Sequence, residues 1–389
     1  MVNGAKTSIA VITLETFRFL FLSYRDISNP AGGGGTALIH RIMRELAEQG
    51  HEVTLICERH SNKPSRSNID NIEIMRTLRP PLMFVSAAYH YVSKLKGSFD
   101  LAVESVIALP WFSPLYMNEK KVAVFFHILK DQFYVELSRY GRSIGYPAAT
   151  IGYLIEKSMG RFYRNTPIVT FSKSTANDLI EYGFPKENIK VVQEGIDLKK
   201  YEAPASKDSF PHLIYVGRLK RYKGVQFIIK AMKYLVAEYP RSKLSIVGRG
   251  DYENELRRLV SNLDLQSNVI FHGYVSEIEK IDLLGRSHIL VMPSLREGWA
   301  TPVIEANARG TPSVVFDTIG VGDTVIHGVT GFKTSYGNIG ELVAYCSSLL
   351  NDKELYSRMQ NNALAFASRF DLSETERQVV EFLLHQLRF

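Results

Sequence analysis

Short apolar runs alternate with stretches of helical period down the whole length of the chain. Residues 17–23 (FRFLFLS) form an unbroken apolar run, the pattern of a parallel strand buried on both faces. A glycine-rich loop follows, and then a helix is predicted over 36–49. Leu38, Ile42, Leu46 and Ala47 make its apolar stripe and Gly50 ends it. Residues 51–57 (HEVTLIC) are the next strand, which completes a βαβ unit with Gly32 to Gly35 at its strand-to-helix turn. Further apolar runs lie at 101–103, 122–126, 168–171 and 189–192. After a predicted hinge at Glu194, Gly195, Ile196 and Asp197 and a polar linker over 201–209, the rhythm restarts. Strands HLIYVG, KLSIVG, NVIFHG, HILVMP and PSVVF alternate with helices, one over 226–238 and another ending near Leu263. Residues 372–389 read as one amphipathic helix. This alternation predicts parallel sheets covered by helices on both faces. A chain of 389 residues exceeds one core of usual size, so two domains are expected, over 1–194 and 195–371.

Ligands of open α/β sheets bind at the carboxyl ends of the strands, so the loops there carry the candidate chemistry. The stretch 294–312 reads SLREGWATPVIEANARGTP and holds Glu297 and Glu305. Thr301 is expected as a helix N-cap and Pro302 as the first helical residue, which places Glu305 in the first turn. Glu305 is four residues past Thr301, so the pair is not a capping box. Outward N–H groups and the positive helix end would then make an anion cradle with a carboxylate on each side. That suits a ligand with phosphates at its centre and hydroxyls at its ends, such as a sugar nucleotide. The plainer alternative is a glutamate that complements the dipole beside a solvated one. After HLIYVG comes RLKRYKG, where Arg218, Lys220, Arg221 and Lys223 form either a phosphate clamp or a solvated charge run. Gly248-Arg249-Gly250 and His272-Gly273-Tyr274 make the following turns. His127 closes the strand KVAVFF, as a ligand contact or a packed histidine, and Ser172, Ser174 and Thr175 are expected to cap a helix.

Composition adds a partner of opposite charge. The net charge is +7, and residues 76–164 hold twelve Lys/Arg against six Asp/Glu, with aromatic residues interleaved. The segment PPLMFVSAAYHYVSKLK is too short and too polar to span a bilayer. With its basic flanks it reads as contact with an anionic membrane surface. Core helices with solvated charges, or a nucleic-acid groove, are the alternatives. Cys57 and Cys346 stand far apart, which supports neither a disulfide framework nor a zinc site. The apolar run at 9–14 is cut by Glu15 and Arg18 and has no small-residue cleavage site, so it does not read as a signal peptide. A cytoplasmic location is expected.

The segments NPAGGGG, GHEVTLI, FSKSTANDLIEYGFPKENIKVVQEGID, YVGRLKRYKG and 293–312, in that order, give the chain a resemblance to a known family. It resembles the retaining GT-B glycosyltransferases of the family-four, or group 1, type. The resemblance implies an α/β GT-B fold of two Rossmann-like doubly wound domains facing a central cleft, with the helix 372–389 packed back on the first. It implies that Arg218 and Lys223 bind the donor diphosphate, Glu305 the ribose hydroxyls and Glu297 the transferred sugar. Backbone at Gly298, Trp299, Ala300 and Thr301 would meet the distal phosphate, Gly273 and Tyr274 the base, and Gly33 and Gly34 the diphosphate and acceptor. His127 would lie near the donor sugar and join Arg218, Lys223 and Glu297 as a catalytic group. The implied reaction moves a hexose or N-acetylhexosamine from a UDP- or GDP-sugar to a hydroxyl of a lipid-linked or glycan acceptor. It would occur at the cytoplasmic face of an anionic membrane, without cofactor, metal or nucleic acid. A soluble transferase, a phosphorylase of the same fold and a basic nucleic-acid-binding protein are the competing readings. Three positions depart from the family pattern: Glu194 replaces a usual Asn, Gly35 an acidic residue and Ala300 a common Gly.

Overall fold

A computed structural model describes residues 15–60, 63–107, 109–202 and 206–388. The apolar run at 9–14, residues 203–205 of the expected linker and Phe389 lie outside them. The described residues form two compact units. One holds the chain up to Val103 with Met117–Lys120, and the other holds Glu104–Tyr116 and the chain from Lys121 onward.

In the first unit β1 (Arg18–Leu22) pairs in parallel with β2 (Glu52–Cys57), from Arg18 opposite Glu52 to Leu22 opposite Ile56. Between them α1 (Gly34–Glu48) buries Leu38, Ile39, Ile42, Met43 and Leu46. It starts two residues before the predicted position, with Gly33 as its N-cap. The hydrophobic pattern did not reveal β3 (Arg66–Ile69) and β4 (Ile72–Arg76), an antiparallel hairpin. It turns at Asp70 and Asn71, both at positive φ (52° and 61°), which the two residue types tolerate best after glycine. Then come α2 (Leu82–His90) and the start of β5 (Leu101–Val106), giving the strand order β3-β4-β2-β1-β5.

β6 (Lys120–Phe125), in the second unit from Lys121 on, runs parallel with β7 (Ile168–Thr170), and β7 with β8 (Ile189–Val191). They are joined through α3 (Gln132–Leu137), α4 (Gly141–Phe162) and α5 (Lys173–Glu181). α4 turns glycines inward. A Cβ on Gly145 would stand 2.1 Å from the Leu137 carbonyl oxygen, and one on Gly160 would stand 2.0 Å from that of Tyr182.

The rest of this unit is a six-stranded, all-parallel sheet of order β11-β10-β9-β12-β13-β14. In chain order it runs β9 (His212–Val216), α6 (Val225–Glu238), β10 (Lys243–Val247), α7 (Glu253–Asn262), β11 (Val269–Gly273) and α8 (Glu277–Arg286). It continues with β12 (Ile289–Met292), α9 (Thr301–Ala308), β13 (Ser313–Phe316), β14 (Gly331–Thr334), α10 (Ile339–Asn351) and α11 (Lys353–Ala367). The strands are buried throughout β9, β12 and β13, and each fully buried aliphatic side chain contributes about 1.5–3 kcal/mol. The first three strands wind outward one way from β9 and the last three the other way. The switch point therefore lies between β9 and β12, the place where open parallel sheets bind ligands past the carboxyl ends of their strands.

Past β14 the chain returns along its own path. The Ile196 N–H donates to the Phe370 carbonyl at 3.0 Å, and the Leu372 N–H donates to the Ile196 carbonyl at 3.0 Å. A Cβ on Gly195 would stand 2.4 Å from the Asp371 carbonyl, so outgoing and returning strands of chain touch there without a side chain between them. α12 (Leu372–Arg388) starts at this crossing, and its Thr375 hydroxyl accepts from the Gly195 N–H at 2.9 Å. Among the described residues no helix is long and apolar enough to cross a membrane.

The two turns that flank the switch point are in backbone contact at Gly224, which has φ +74° and whose Cβ would stand 2.1 Å from the Pro293 carbonyl oxygen. Gly224→Ala should therefore cost about 2 kcal/mol or more, from left-handed backbone strain plus overpacking. Calorimetric melting should show a lower Tm; an unchanged Tm would show that the turns do not pack this way.

Candidate active site

The turn after β9 and the loop after β12 meet at the switch point. Lys223 Nζ donates to both oxygens of Glu297, at 2.5 and 2.6 Å, and both side chains are largely buried. Burial works against the Lys223 charge, but the Glu297 carboxylate outweighs it and raises the ammonium above its ordinary range. Arg218 donates to the Tyr222 hydroxyl at 3.2 Å and, among the described residues, has no carboxylate within ion-pair distance. The four-cation clamp expected from RLKRYKG is not what forms. Lys220 turns to Asp251 at 2.6 Å, where Arg139 joins it at 2.7 Å, Arg221 is exposed, and of the four only Lys223 pairs with Glu297.

The loop 293–300 is held on three sides. The Leu295 N–H donates to the Tyr222 carbonyl at 2.8 Å and the Glu297 N–H to that of Ile319 at 3.0 Å. Gly298 lies on the end of β6, where a Cβ would be 2.1 Å from the Phe126 carbonyl oxygen. The next residue after Phe126 is His127. Burial, reinforced by the positive charges of Lys223, Arg296 and Arg218, outweighs the pull of Glu297 and pushes its imidazolium down to about 4. His127 is thus a neutral imidazole at physiological pH. The N–H groups of Gly298, Trp299 and Ala300 have no acceptor among the described residues. Three consecutive free N–H groups just ahead of a helix are a seat for an anion.

The helix itself departs from expectation. Ala300 is the N-cap of α9, Thr301 its first residue and Pro302 its second, so Thr301 is not the cap. The Thr301 N–H donates back to the Trp299 carbonyl at 3.0 Å, a tight turn that starts the helix one residue early. Glu305 consequently falls in the second turn and is buried, instead of flanking the helix end. The Trp299 ring is also buried, packed on Phe370 with ring centroids 5.6 Å apart, so this residue offers the site its backbone and not its indole face.

Glu305 is poised by its neighbours. Its Oε1 accepts from the Tyr201 hydroxyl at 3.0 Å and from Lys280 Nζ at 2.7 Å, while Oε2 has no protein donor among the described residues. One oxygen is fixed and the other is open to a hydroxyl. Glu194, bonded to Thr301, has a carboxyl raised to about 7 by burial and then by the charge of Glu305. The residue that departs from the family pattern is therefore largely protonated below neutral pH.

The sequence reading missed an ion network behind these groups. Arg296 pairs with Asp178 of α5, and Lys130 reaches the other oxygen of Asp178 at 2.6 Å. The buried carboxylate of Glu156, on α4, accepts N–H bonds from Leu129 at 2.5 Å and Lys130 at 2.9 Å, which fixes the segment that follows His127. Ser174 bonds Asp323 and accepts the Gly320 N–H at 2.8 Å. Asp178 and Glu156 are ordinary acidic positions on helices, where nothing in the sequence separates them from an exposed charge such as Glu181. Gly273 (φ +69°) and Tyr274 (80% exposed) stand at the end of the edge strand β11, two strands from β9, and share no hydrogen bond or ring contact with the Arg218–Glu297 group. Gly33 and Gly34 lie in the first unit, at the start of α1. Among the described residues no group of three or more His, Cys, Asp or Glu side chains is placed to hold a metal ion.

Two cations, a free N–H row and a poised carboxylate at the switch point of a parallel sheet are the parts of a nucleotide-sugar site. The sequence pattern of the Glycosyltransferase Family 4 matches residues 32–200, and that of the Glycosyl transferases group 1 matches residues 199–366. The chain belongs to the group 1, family-four glycosyltransferases. An uncharacterized glycosyltransferase of Haemophilus influenzae is 26% identical over 358 residues, which are 90% of this chain and 96% of that protein. Among solved structures, sucrose-phosphate synthase of Thermosynechococcus elongatus superposes with a TM-score of 0.75 at 18% identity, over 94% of this chain and 98% of that one. Anabaena HepE, solved with UDP and glucose, superposes at 0.70 and 17% identity, over 95% and 100%. The structural likenesses establish the fold as GT-B, two Rossmann-like α/β domains.

The raised carboxyl of Glu194 has a pH signature. The Glu194 carboxyl rises from 4.5 to about 7 on folding, so its neutral form supports the fold and that support is lost as pH rises toward and past 7. Glu194→Gln keeps the position neutral. The variant's Tm should exceed the wild type's at pH 8 by clearly more than at pH 5, and equal differences at both would contradict a raised Glu194 carboxyl.

Proposed function

We propose that this chain transfers a hexose or N-acetylhexosamine from a UDP- or GDP-sugar to an acceptor hydroxyl with retention of anomeric configuration. The observation that carries the reading is the convergence of Arg218, the Lys223–Glu297 pair and the free N–H groups of 298–300 at the β9/β12 switch point. Arg218 and Lys223 would hold the donor diphosphate and stabilise the charge that grows on it as the sugar–phosphate bond breaks. The 298–300 backbone would meet the distal phosphate. Glu297 would hold sugar hydroxyls with Lys223 still bonded to it, and neutral His127 would orient the sugar from the β6 side. Glu305 would bind the ribose through its open oxygen, and Gly273 and Tyr274 would hold the base. The acceptor oxygen would bond to the anomeric carbon on the face the phosphate leaves, and its proton would go to the departing phosphate oxygen. The reaction takes no cofactor and no metal ion in this reading.

The division of labour follows the chain. Residues 1–194, with Gly33 and Gly34, would receive the acceptor and 195–371 the donor, with α12 returning to the first domain. The Thr375 hydroxyl bond to the Gln193 carbonyl at 3.0 Å supports that return. The acceptor is lipid-linked or a glycan at the cytoplasmic face of an anionic membrane. On α4 the outward residues Ile144, Ile151 and Leu154 are 68%, 58% and 57% exposed, with Lys157 one turn beyond Leu154 and Arg142 exposed on another face of the helix. On α2, Leu82, Val85 and Tyr89 are exposed, and Lys94 and Lys96 follow. Apolar stripes with basic neighbours suit a headgroup layer.

Screening nucleotide sugars for release of the nucleoside diphosphate tests the reaction. With the accepted donor, Arg218→Ala should lower kcat by roughly 10²–10³-fold. Glu305→Ala should raise the donor KM by about tenfold or more, since it removes a charged hydrogen bond to the ligand. Release that is the same in both variants would place the donor elsewhere. In vesicle flotation the wild type should rise with anionic vesicles at low salt and lose this at high salt; failure to rise would exclude the membrane part alone.

A further inference from the structure

We infer that the hollow at the carboxyl end of α4 is a seat for the phosphate headgroup of an anionic phospholipid. This rests on the membrane reading above and names where on the chain a lipid would be held. The hollow has a volume of about 690 Å³ and is lined by Lys157, Arg161 and Arg164 on one side and Tyr182, Gly183 and Pro185 on the other. Glu187 is the one acidic residue in its lining. None of the three cationic head groups has a carboxylate within ion-pair distance among the described residues, unlike Lys130, Lys220 and Lys223 of the same unit. No ion pair holds their head groups, and the wall beside them is shaped by the close approach of Gly160 to the Tyr182 carbonyl.

Its place in the fold separates it from the candidate active site. α4 ends at Phe162 just before β7, and Tyr182 to Pro185 lead into β8, so the hollow lies at the amino ends of these parallel strands. His127 follows the carboxyl end of β6, at the opposite edge. A diphosphate held at the β9/β12 switch point does not use these side chains.

The occupant follows from the helix that leads there. Leu154 is three residues before Lys157 and seven before Arg161, so the exposed line Ile144, Ile151 and Leu154 runs into the hollow on one helix face. A free phosphate would meet the cations and leave that apolar line unused. A phospholipid engages both: its phosphate oxygens the arginine forks, its glycerol and upper acyl region the Ile–Leu line. α4, at 22 residues and about 33 Å, would lie along the interface.

The test uses the full chain and vesicles of phosphatidylcholine with and without phosphatidylglycerol. Arg161→Glu/Arg164→Glu should weaken flotation on the phosphatidylglycerol vesicles by about tenfold or more, at roughly 1 kcal/mol per charge. Melting temperature and lipid-free donor turnover should be unchanged. Arg142→Glu, on the same helix but outside the hollow, should weaken flotation much less. Equal losses from Arg142→Glu and from the double variant would overturn the seat in favour of diffuse charge. Full retention of binding by the double variant, with loss in Ile151→Asp, would overturn the seat and leave the membrane reading standing. A wild type that does not float would overturn both.

Discussion

The candidate site depends on one close approach, the backbone of Gly224 against the carbonyl of Pro293. Parallel strands β9 and β12 are neighbours whose chains depart toward opposite edges of the sheet, so the turns beyond them part unless something draws them together. A missing side chain at Gly224 permits that, and the Leu295 N–H bond to the Tyr222 carbonyl closes it. Lys223, one residue before the glycine, is then carried within 2.5 Å of Glu297. Arg218, His127 and the 298–300 backbone are arranged around that pair.

Holding these charges out of water costs free energy, and a buried ion pair by itself adds little to stability. The chain nevertheless keeps several: Lys223 with Glu297, Arg296 with Asp178, Lys280 with Glu305. Their distribution suits positioning. Arg296 is adjacent to Glu297 in sequence, and Asp178 and Lys130 brace it from α5 and from the segment after His127. Glu156 fixes that segment through two backbone N–H groups. Groups braced this way would be preorganised for the proposed anionic ligand and would need little rearrangement as charge develops there.

The sequence carried the fold far because strands such as β1, β9, β12 and β13 are nearly continuous apolar runs, whereas β4 (IEIMR) and β14 (GFKT) carry no such run to mark them. The hairpin β3–β4 escaped because its first strand, RSNI, is half exposed and has no apolar run to see. At the site, residue types and their order pointed to Arg218, Lys223, Glu297 and Glu305. Spacing alone could not tell which cations of RLKRYKG face the ligand, since that is decided by Asp251, about 30 residues further on. The early start of α9 was hidden for a similar reason: Thr301 has the right side chain for a cap, but the turn at Trp299 sets the backbone first. Braces such as Asp178 and Glu156 are legible only once α4 and α5 are folded, because burial and not residue type distinguishes them.

The most direct measurement is a crystal structure of the protein with a hydrolysis-resistant analogue of its accepted nucleotide sugar. The diphosphate should lie between Arg218, Lys223 and the 298–300 N–H groups, with a ribose hydroxyl at about 3 Å from the open oxygen of Glu305. A nucleotide bound away from the β9/β12 switch point, with the Lys223–Glu297 pair untouched, would contradict it.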